Sequence, residues 1–260
     1  MTRLILDLYA GLLGLVVGSF LNVVVHRLPR GQSLVRPRSR CPWCGAPIRA
    51  LDNIPLVSFL LLRGRCRHCT GPISWRYPLM ELATAALFVA ALEFFGAGLA
   101  AVSAAILSAL LLALAAIDAE HYLLPDALTL PGIAVGVALR AALARPDWLE
   151  GLASGVTGAL IGAGLLFLVA ETWLWLRGEE GMGLGDAKLL GMVGAFLGWT
   201  GVLVTFAAGC ALGALTGILL VAARRAGRKT RLPFGLFLAA GALLALYAGP
   251  AILDRYLALL

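Results

Sequence analysis

Residues 99–117 read LAAVSAAILSALLLALAAI, a run without one charged side chain. A helix of this length spans the hydrocarbon core of a bilayer. The composition of the whole chain agrees, because 61% of its residues are hydrophobic, only 13% are charged, and the mean hydropathy is +0.93. The sequence therefore predicts an all-α polytopic membrane protein and excludes an ordinary soluble globular one.

Apolar runs on both sides of this stretch raise the number of candidate membrane crossings to eight. The N-terminal run contains Asp7 and lacks a small-residue cleavage site, so we expect it to remain as a membrane helix. The run at 187–199 is short, which suggests a tilted, interrupted or re-entrant segment. The candidate crossings are 4–25, 79–95, 99–117, 127–144, 152–176, 187–199, 201–223 and 233–253.

Arginine and lysine are unevenly divided between the two faces that eight crossings create. The loops 27–78, 118–126, 177–186 and 224–232, with Lys188, hold all but four of the 21 basic residues. The positive-inside rule makes this face cytoplasmic. The net charge of +7 follows from this asymmetry, and it favours anionic lipid headgroups over nucleic acid as a partner. The four exceptions are Arg3, Arg140, Arg145 and Arg255.

Four cysteines lie between the first two apolar runs, in two Cys-x-x-Cys pairs. Cys41 and Cys44 form the first pair, and Cys66 and Cys69 form the second. Two such pairs can surround one tetrahedral ion, so we expect a closed, structural zinc site. The alternative is two disulfides, which a reducing cytoplasm disfavours. The predicted organisation is a first transmembrane helix (1–26), a cytoplasmic zinc-binding module (27–78) and a seven-helix membrane domain (79–260).

Two aspartates stand at the boundaries of apolar runs. Asp118 follows the run 99–117, and Asp186 ends the segment Gly183-Leu184-Gly185-Asp186. Carboxylates at bilayer depth are costly and functional by default, and the predicted topology puts both at the cytoplasmic end. Two such acids can form an aspartyl protease, in which one activates water and the other polarises the scissile carbonyl. The alternative is a buried structural contact.

The surroundings of these acids suggest further roles. The helix dipole favours the anion of Asp186 at a helix start and the acid form of Asp118 at a helix end, so Asp186 is expected to be the resting base. Gly183 and Gly185 let the backbone approach a substrate chain, and Lys188 extends this substrate loop. Asp126 either caps the following helix or contributes to the site.

The order and spacing of these motifs resemble the bacterial type IV prepilin peptidases, which are GxGD intramembrane aspartyl proteases and bifunctional leader peptidases and N-methyltransferases. The resemblance covers nearly the whole chain. Leu236 departs from it, since many relatives carry a second proline there. The motifs that carry it are 18–29 (GSFLNVVVHRLP), the two cysteine pairs, 73–81 (ISWRYPLME), 118–126 (DAEHYLLPD), 183–190 (GLGDAKLL) and 233–235 (PFG).

The resemblance implies a bacterial inner-membrane endopeptidase with Asp118 and Asp186 as its catalytic pair. It implies a type IV prepilin or pseudopilin as substrate, cleaved on the cytoplasmic side after a glycine, and pilus or type II secretion machinery as a partner. The new N-terminal residue, usually Phe, is then methylated with S-adenosylmethionine.

The sequence leaves the binding site for this methyl donor unknown, because no Rossmann-type glycine fingerprint is present. Weak candidates for it are Asn22, His26, Arg27 and Glu81. For His26 and Arg27 the alternative is interfacial snorkelling.

Three other functions stay open. The chain can be a peptidase that does not methylate, or a zinc-dependent scaffold without catalysis. It can also be an ion-coupled transporter that uses its acids as relays, but that class predicts inverted repeats and acids near the midplane, and the sequence has neither.

Overall fold

The computed structural model describes residues 2–178, 183–223 and 232–257. Within these ranges all regular secondary structure is helical, and there is no β-strand, only isolated bridges beside the cysteine pairs. The basic residues at 224–231, which were predicted to lie on the cytoplasmic face, are outside the described ranges. Gly181 and Met182 are outside them too. The helices are α1 (Thr2–Arg27), α2 (Val57–Leu61), α3 (Arg76–Phe95), α4 (Leu99–His121), α5 (Asp126–Leu143), α6 (Trp148–Arg177), α7 (Leu184–Ala222) and α8 (Phe234–Leu257), with short 3-10 turns at Leu28–Arg30 and Ala50–Asn53.

The predicted all-α membrane architecture is confirmed. Among the described residues, α1 and the five helices α3 to α7 are long and apolar enough to cross a membrane. In α8 the apolar part is shorter and covers Phe234–Gly249. The predicted runs at 187–199 and 201–223 both fall within α7, which consists of two helices joined at a kink.

The chain divides into two compact units, Met1–Ala113 and Leu114–Leu260. In the first unit, α1 lies against α3 because glycines on α1 let the two backbones approach closely. A Cβ added to Gly14 would lie 2.6 Å from Ala85 Cα, and one added to Gly18 would lie 2.7 Å from Glu81 Cα. No larger residue fits at these positions without separating the helices.

In the second unit, α6 lies antiparallel to the first part of α7. Gly158 faces Gly194 so closely that a Cβ on either would overlap the carbonyl of the other, and Gly162 meets the Leu190 carbonyl in the same way. The last part of α7 similarly approaches α8, where Gly241 lies against Thr205. Small residues thus bring three successive apolar segments into backbone contact.

A break at Gly198 divides α7 into two arms. Gly198 has φ 73° and ψ −176°, which is not helical and which favours glycine. A Cβ on Gly194 would lie 2.9 Å from Val202 Cγ2, although residues eight positions apart in one straight helix are separated by about 12 Å. The chain therefore folds back at Gly198, and the arms match the two predicted runs.

Arg140 supplies the polar groups that this break requires. Its guanidinium donates to the Phe196 carbonyl at 3.0 Å and to the Ser154 hydroxyl at 3.1 Å. A helix break leaves carbonyls without helical partners, and next to a bilayer protein groups have to satisfy them. This contact gives a reason for a cation on the face that the basic residues otherwise avoid.

Candidate active site and four-cysteine centre

Asp118 lies in the last turn of α4 with its carboxylate against the start of α8. It is buried, with only 6% of its surface exposed, and its Oδ2 accepts the Leu236 N–H at 3.0 Å. The Gly235 N–H also interacts with this carboxylate. Asp118 therefore sits at a helix N-terminus supplied by a distant part of the chain, a contact that no local sequence pattern indicates.

Asp186 lies in the first turn of α7, which begins after Gly183. Its carboxyl group is partly buried and within electrostatic reach of the Asp118 carboxylate. The structure thus brings together two acids that are 68 positions apart in the sequence. Two carboxyl groups in one neighbourhood can share a proton, which is the requirement for activating water.

Leu124 closes the space beside the two acids. A Cβ on Gly185 would lie 3.0 Å from Leu124 Cβ, and a Cβ on Gly235 would lie 2.9 Å from Leu124 Cδ1. The same Cβ on Gly235 would lie 2.9 Å from Asp118 Oδ2. Glycine at 185 and 235 therefore lets the three segments that build the site meet. For Gly183, the nearest described atom to an added Cβ is the Gly185 nitrogen at 3.9 Å, which is an ordinary contact distance.

An ion pair joins the helix that follows Asp118 to the helix that carries Asp186. Lys188 Nζ lies 2.7 Å and 2.8 Å from the two carboxylate oxygens of Asp126. Asp126 makes no side-chain cap at the start of α5, so the capping interpretation is wrong. The pair links the first turns of α5 and α7.

His121 is a residue near the site that the sequence did not single out. It ends α4 one turn after Asp118, and its Nε2 is buried without a hydrogen-bond partner among the described residues. The Glu120 carboxylate lies 3.9 Å away, beyond hydrogen-bond distance. The sequence could have indicated this position, because His121 lies three positions after Asp118 and residues three apart share a helix face.

The predicted four-cysteine cluster is confirmed in the first unit. The sulfurs of Cys41, Cys44, Cys66 and Cys69 all lie within 4.8 Å of one another, and those of Cys41 and Cys69 are 3.8 Å apart. Four sulfurs at 2.3 Å from a tetrahedral ion are separated by about 3.8 Å, so the cluster has the size of a metal site. All four cysteines are free thiols, which argues against the two-disulfide alternative.

Local contacts tune and hold this cluster. The backbone N–H groups of Cys69 and His68 lower the pKa of the Cys66 thiol to about 7. Although the Gly71 N–H favours the Cys69 thiolate, burial and the neighbouring sulfurs raise the pKa of Cys69 to about 11. A salt bridge with the Arg67 guanidinium holds the pKa of Asp52 below its usual value and ties the second cysteine pair to the 3-10 turn at Ala50–Asn53.

The polar residues suggested for a methyl donor lie at the ends of α1 and α3. The Glu81 carboxylate is buried and accepts the Leu56 N–H at 2.8 Å, and the Asn22 amide donates to the Tyr77 carbonyl at 3.1 Å. Asn22 Oδ1 is buried and has no hydrogen-bond partner among the described residues. It is an acceptor that a ligand can use.

The other two suggested residues contact the chain that follows α1. Arg27 donates to the carbonyls of Ser33 and Pro37 at 3.0 Å and 2.8 Å. The His26 carbonyl accepts a hydrogen bond from the Arg30 guanidinium. The Arg27 side chain therefore orders the beginning of the cysteine-containing segment.

Comparison with known proteins gives a consistent result along the chain. Residues 12–95 match the Bacterial Peptidase A24 N-terminal domain, and residues 105–218 match the Type IV leader peptidase family. No solved structure matches.

Several curated relatives carry the name prepilin leader peptidase/N-methyltransferase. The one from Burkholderia pseudomallei is 43% identical over 93% of this chain and 85% of its own length. Those from Aeromonas hydrophila and Pseudomonas aeruginosa are 40% and 41% identical, each over 95% of this chain and over 92% and 91% of their own lengths. With this identity over nearly the whole length of both partners, the chain belongs to the type IV leader peptidase family.

Proposed function

We propose that this protein is an intramembrane aspartyl endopeptidase that removes the leader peptide of type IV prepilins or pseudopilins after a glycine and N-methylates the new N-terminal residue. The observation that carries the proposal is the pair Asp118 and Asp186, buried or partly buried within electrostatic reach of each other. The family and the names of the curated relatives support the substrate and both activities. They give no support to a transporter or to a scaffold without catalysis.

The hydrogen bonds to Asp118 suggest a division of labour between the acids. Donors at the start of α8 stabilise a negative charge on Asp118, so Asp118 acts as the base and Asp186 as the acid. This reverses the roles expected from the helix ends alone. Asp118 takes a proton from water, whose oxygen attacks the scissile carbonyl while Asp186 protonates the carbonyl oxygen. As the intermediate collapses, the amine leaves with a proton from Asp118, and Asp186 takes back a proton from a hydroxyl of the intermediate.

Leader removal from a co-reconstituted prepilin tests the catalytic pair. We expect Asp118→Asn and Asp186→Asn each to lower the cleavage rate at least about a hundredfold, since general acid–base groups contribute 10²–10⁴-fold. Asp147→Asn, a substitution of the same type at the start of α6, serves as the control and should cleave normally. Normal cleavage by either site variant would refute the aspartyl mechanism.

We propose that the residues around the two acids guide the substrate chain. Gly183 is exposed in an extended conformation, with φ −77° and ψ 143°, and it lies three positions before Asp186. An extended backbone here can pair with an extended substrate next to the acids. Gly185 and Lys188 keep this loop against Leu124 and Asp126, so the substrate approaches at a fixed position.

We propose that the metal in the four-cysteine cluster is zinc with a structural role. Four sulfurs at tetrahedral spacing match zinc, and four protein ligands leave no open coordination position. The ion would join two short knuckles in a module, residues 27–78, that has few buried apolar side chains of its own.

We propose that the methyltransferase activity uses the polar group at the ends of α1 and α3. Bound S-adenosylmethionine supplies the methyl group. The unpartnered Asn22 Oδ1 is the acceptor best suited to hold it. His26 and Arg27 follow Asn22 on α1, and Glu81 is the candidate on α3. Asn22→Ala should abolish transfer of labelled methyl while leader removal continues. Asn53→Ala, at an exposed position, is the control. Equal methylation by both variants would place the donor elsewhere.

We propose that the enzyme lies in the bacterial inner membrane with its active site on the cytoplasmic side of the 79–260 domain. The distribution of arginine and lysine supports this orientation, and the basic leader of a prepilin would wait on the same side. Pilus or type II secretion machinery is the expected downstream partner. Cysteine-accessibility labelling of the loop 118–126 in intact and permeabilised cells tests the orientation, and labelling in intact cells would contradict it.

A further inference from the structure

The short helix α2 is held beside a membrane-spanning helix and not beyond its end. The Leu56 N–H, at the start of α2, donates to the Glu81 carboxylate at 2.8 Å. Glu81 lies five positions after the first residue of α3, which corresponds to about 8 Å along the helix axis. The ring of Phe59 in α2 also lies 4.9 Å from that of Trp75, the residue just before α3. Two contacts therefore fix α2 at the level of the first turns of α3.

The backbone conformation of Leu56 also indicates that α2 is held in place beside α3. Leu56 has φ 58° and ψ −48°, a region that residues other than glycine rarely adopt. Such a conformation persists only where its surroundings hold it, and here the buried Glu81 carboxylate binds the Leu56 N–H.

One side of α2 is apolar and exposed to the surroundings. Val57, Leu60 and Leu61 are 48%, 71% and 76% exposed. A cluster of large exposed aliphatic side chains marks a surface that contacts a protein or a membrane. At the level of the first turns of a crossing helix, the surrounding medium is the boundary between lipid headgroups and acyl chains.

Arginines follow the apolar face directly. Arg63 and Arg65 are exposed, and their guanidinium groups make no hydrogen bond or ion pair in the described part of the chain. Together with Leu61, Leu62 and Thr70 they line an open groove beside the second cysteine pair. The order matches that of a phospholipid: the apolar side chains can contact the acyl chains, and the arginines can contact the phosphate.

We infer that α2 is an interfacial anchor that inserts Val57, Leu60 and Leu61 among the acyl chains while Arg63 and Arg65 bind the phosphates of anionic phospholipids. Continuity with the membrane surface at α3 and the complementary charge favour lipid as the occupant. The anchor fixes the cysteine module against the bilayer. It depends on α3 crossing the membrane and not on the catalytic activity.

Photocrosslinking in proteoliposomes of phosphatidylethanolamine and phosphatidylglycerol tests the anchor. The full-length protein carries p-benzoylphenylalanine at position 61 or, as a matched control, at position 35. Val35 belongs to the same module and is 82% exposed, but it lies before the first cysteine pair. Mass spectrometry should find phospholipid adducts at position 61 at least about tenfold more often than at position 35, as expected for a site inside the acyl region.

Each other outcome overturns part or all of the inference. Equal lipid labelling at the two positions, or a protein adduct at position 61, would show that lipid does not cover α2. With Arg63→Gln and Arg65→Gln combined, the preference for phosphatidylglycerol adducts should fall; an unchanged preference would refute the role of the arginines. The metal content of each protein verifies that the module is folded, and the readout needs no leader cleavage.

Discussion

Replacement of Gly235 by alanine should impair catalysis without unfolding the protein. The new methyl group would lie 2.9 Å from Asp118 Oδ2, whereas ordinary van der Waals contact begins near 3.4 Å. The difference requires the carboxylate or the start of α8 to move by about 0.5 Å, because atoms at such separations repel. Gly235 has a helical neighbour on each side and no positive φ, so backbone strain adds nothing.

The size of the effect follows from this displacement. A misplacement of 1 Å in an active site lowers the rate by about a hundredfold, so half that distance should lower kcat by about tenfold, or about 1.4 kcal/mol in the barrier. The KM for prepilin should change little, because Asp118 acts on the reacting bond. The assay is the rate of leader removal from prepilin in proteoliposomes, with the thermal unfolding temperature measured in parallel.

Gly249→Ala in the same helix is the matched control. Among the described residues beyond its own helical turn, no atom lies within 4 Å of the position that its Cβ would take. Alanine favours helix over glycine by about 1 kcal/mol, so this variant should cleave at the wild-type rate and be equally stable or more so. Wild-type kcat for Gly235→Ala would refute the close contact between α8 and a catalytic Asp118, as would equal losses in both variants.

Three further outcomes follow from the structure. The Cys44→Ser variant should lose zinc, as measured by mass spectrometry of the metal, and should unfold at a lower temperature. The control variant Cys210→Ser, outside the cluster, should retain zinc. Equal metal content in the two variants would contradict the site. Lys188→Asp and Asp126→Lys should each lower the cleavage rate up to about fivefold, as expected for a partly exposed ion pair, and the double reversal should recover activity if the pair itself matters. Arg140→Leu should lower the free energy of unfolding by about 1–3 kcal/mol because the break in α7 loses its donors, with Arg140→Lys losing less; unchanged thermal stability of the leucine variant would show that the break is satisfied in another way.

Features with a strong local signal could be predicted from the sequence. The uncharged run at 99–117 became α4, and the break between the runs at 187–199 and 201–223 became the turn at Gly198. The cysteine spacing predicted the cluster, because two Cys-x-x-Cys knuckles need little else to meet. Each of these depends on hydrophobicity or spacing along a short segment.

Features that depend on distant segments could not be predicted. The hydrogen bond from Leu236 to Asp118 joins α8 to α4 through a backbone group that any residue would provide. The position of α2 depends on Glu81, whose sequence context is equally typical of a helix start. The roles expected for the two acids considered only the helices that carry them. The dipole of α8 was left out because the sequence around Asp118 does not show which distant helix packs against it.

The backbone conformation of one residue, Gly198, determines on which side of the membrane α8 begins. Counted as one rod, α7 would carry the chain across the bilayer once, and α8 would begin on the opposite side from Asp118. With the reversal at Gly198, the chain returns, and the N–H groups at 235 and 236 reach the carboxylate. A residue about 18 Å along the helix from Asp186 thus decides whether the parts of the site ever share a compartment. Insertion of this hairpin is therefore a step of active-site assembly as well as of membrane integration.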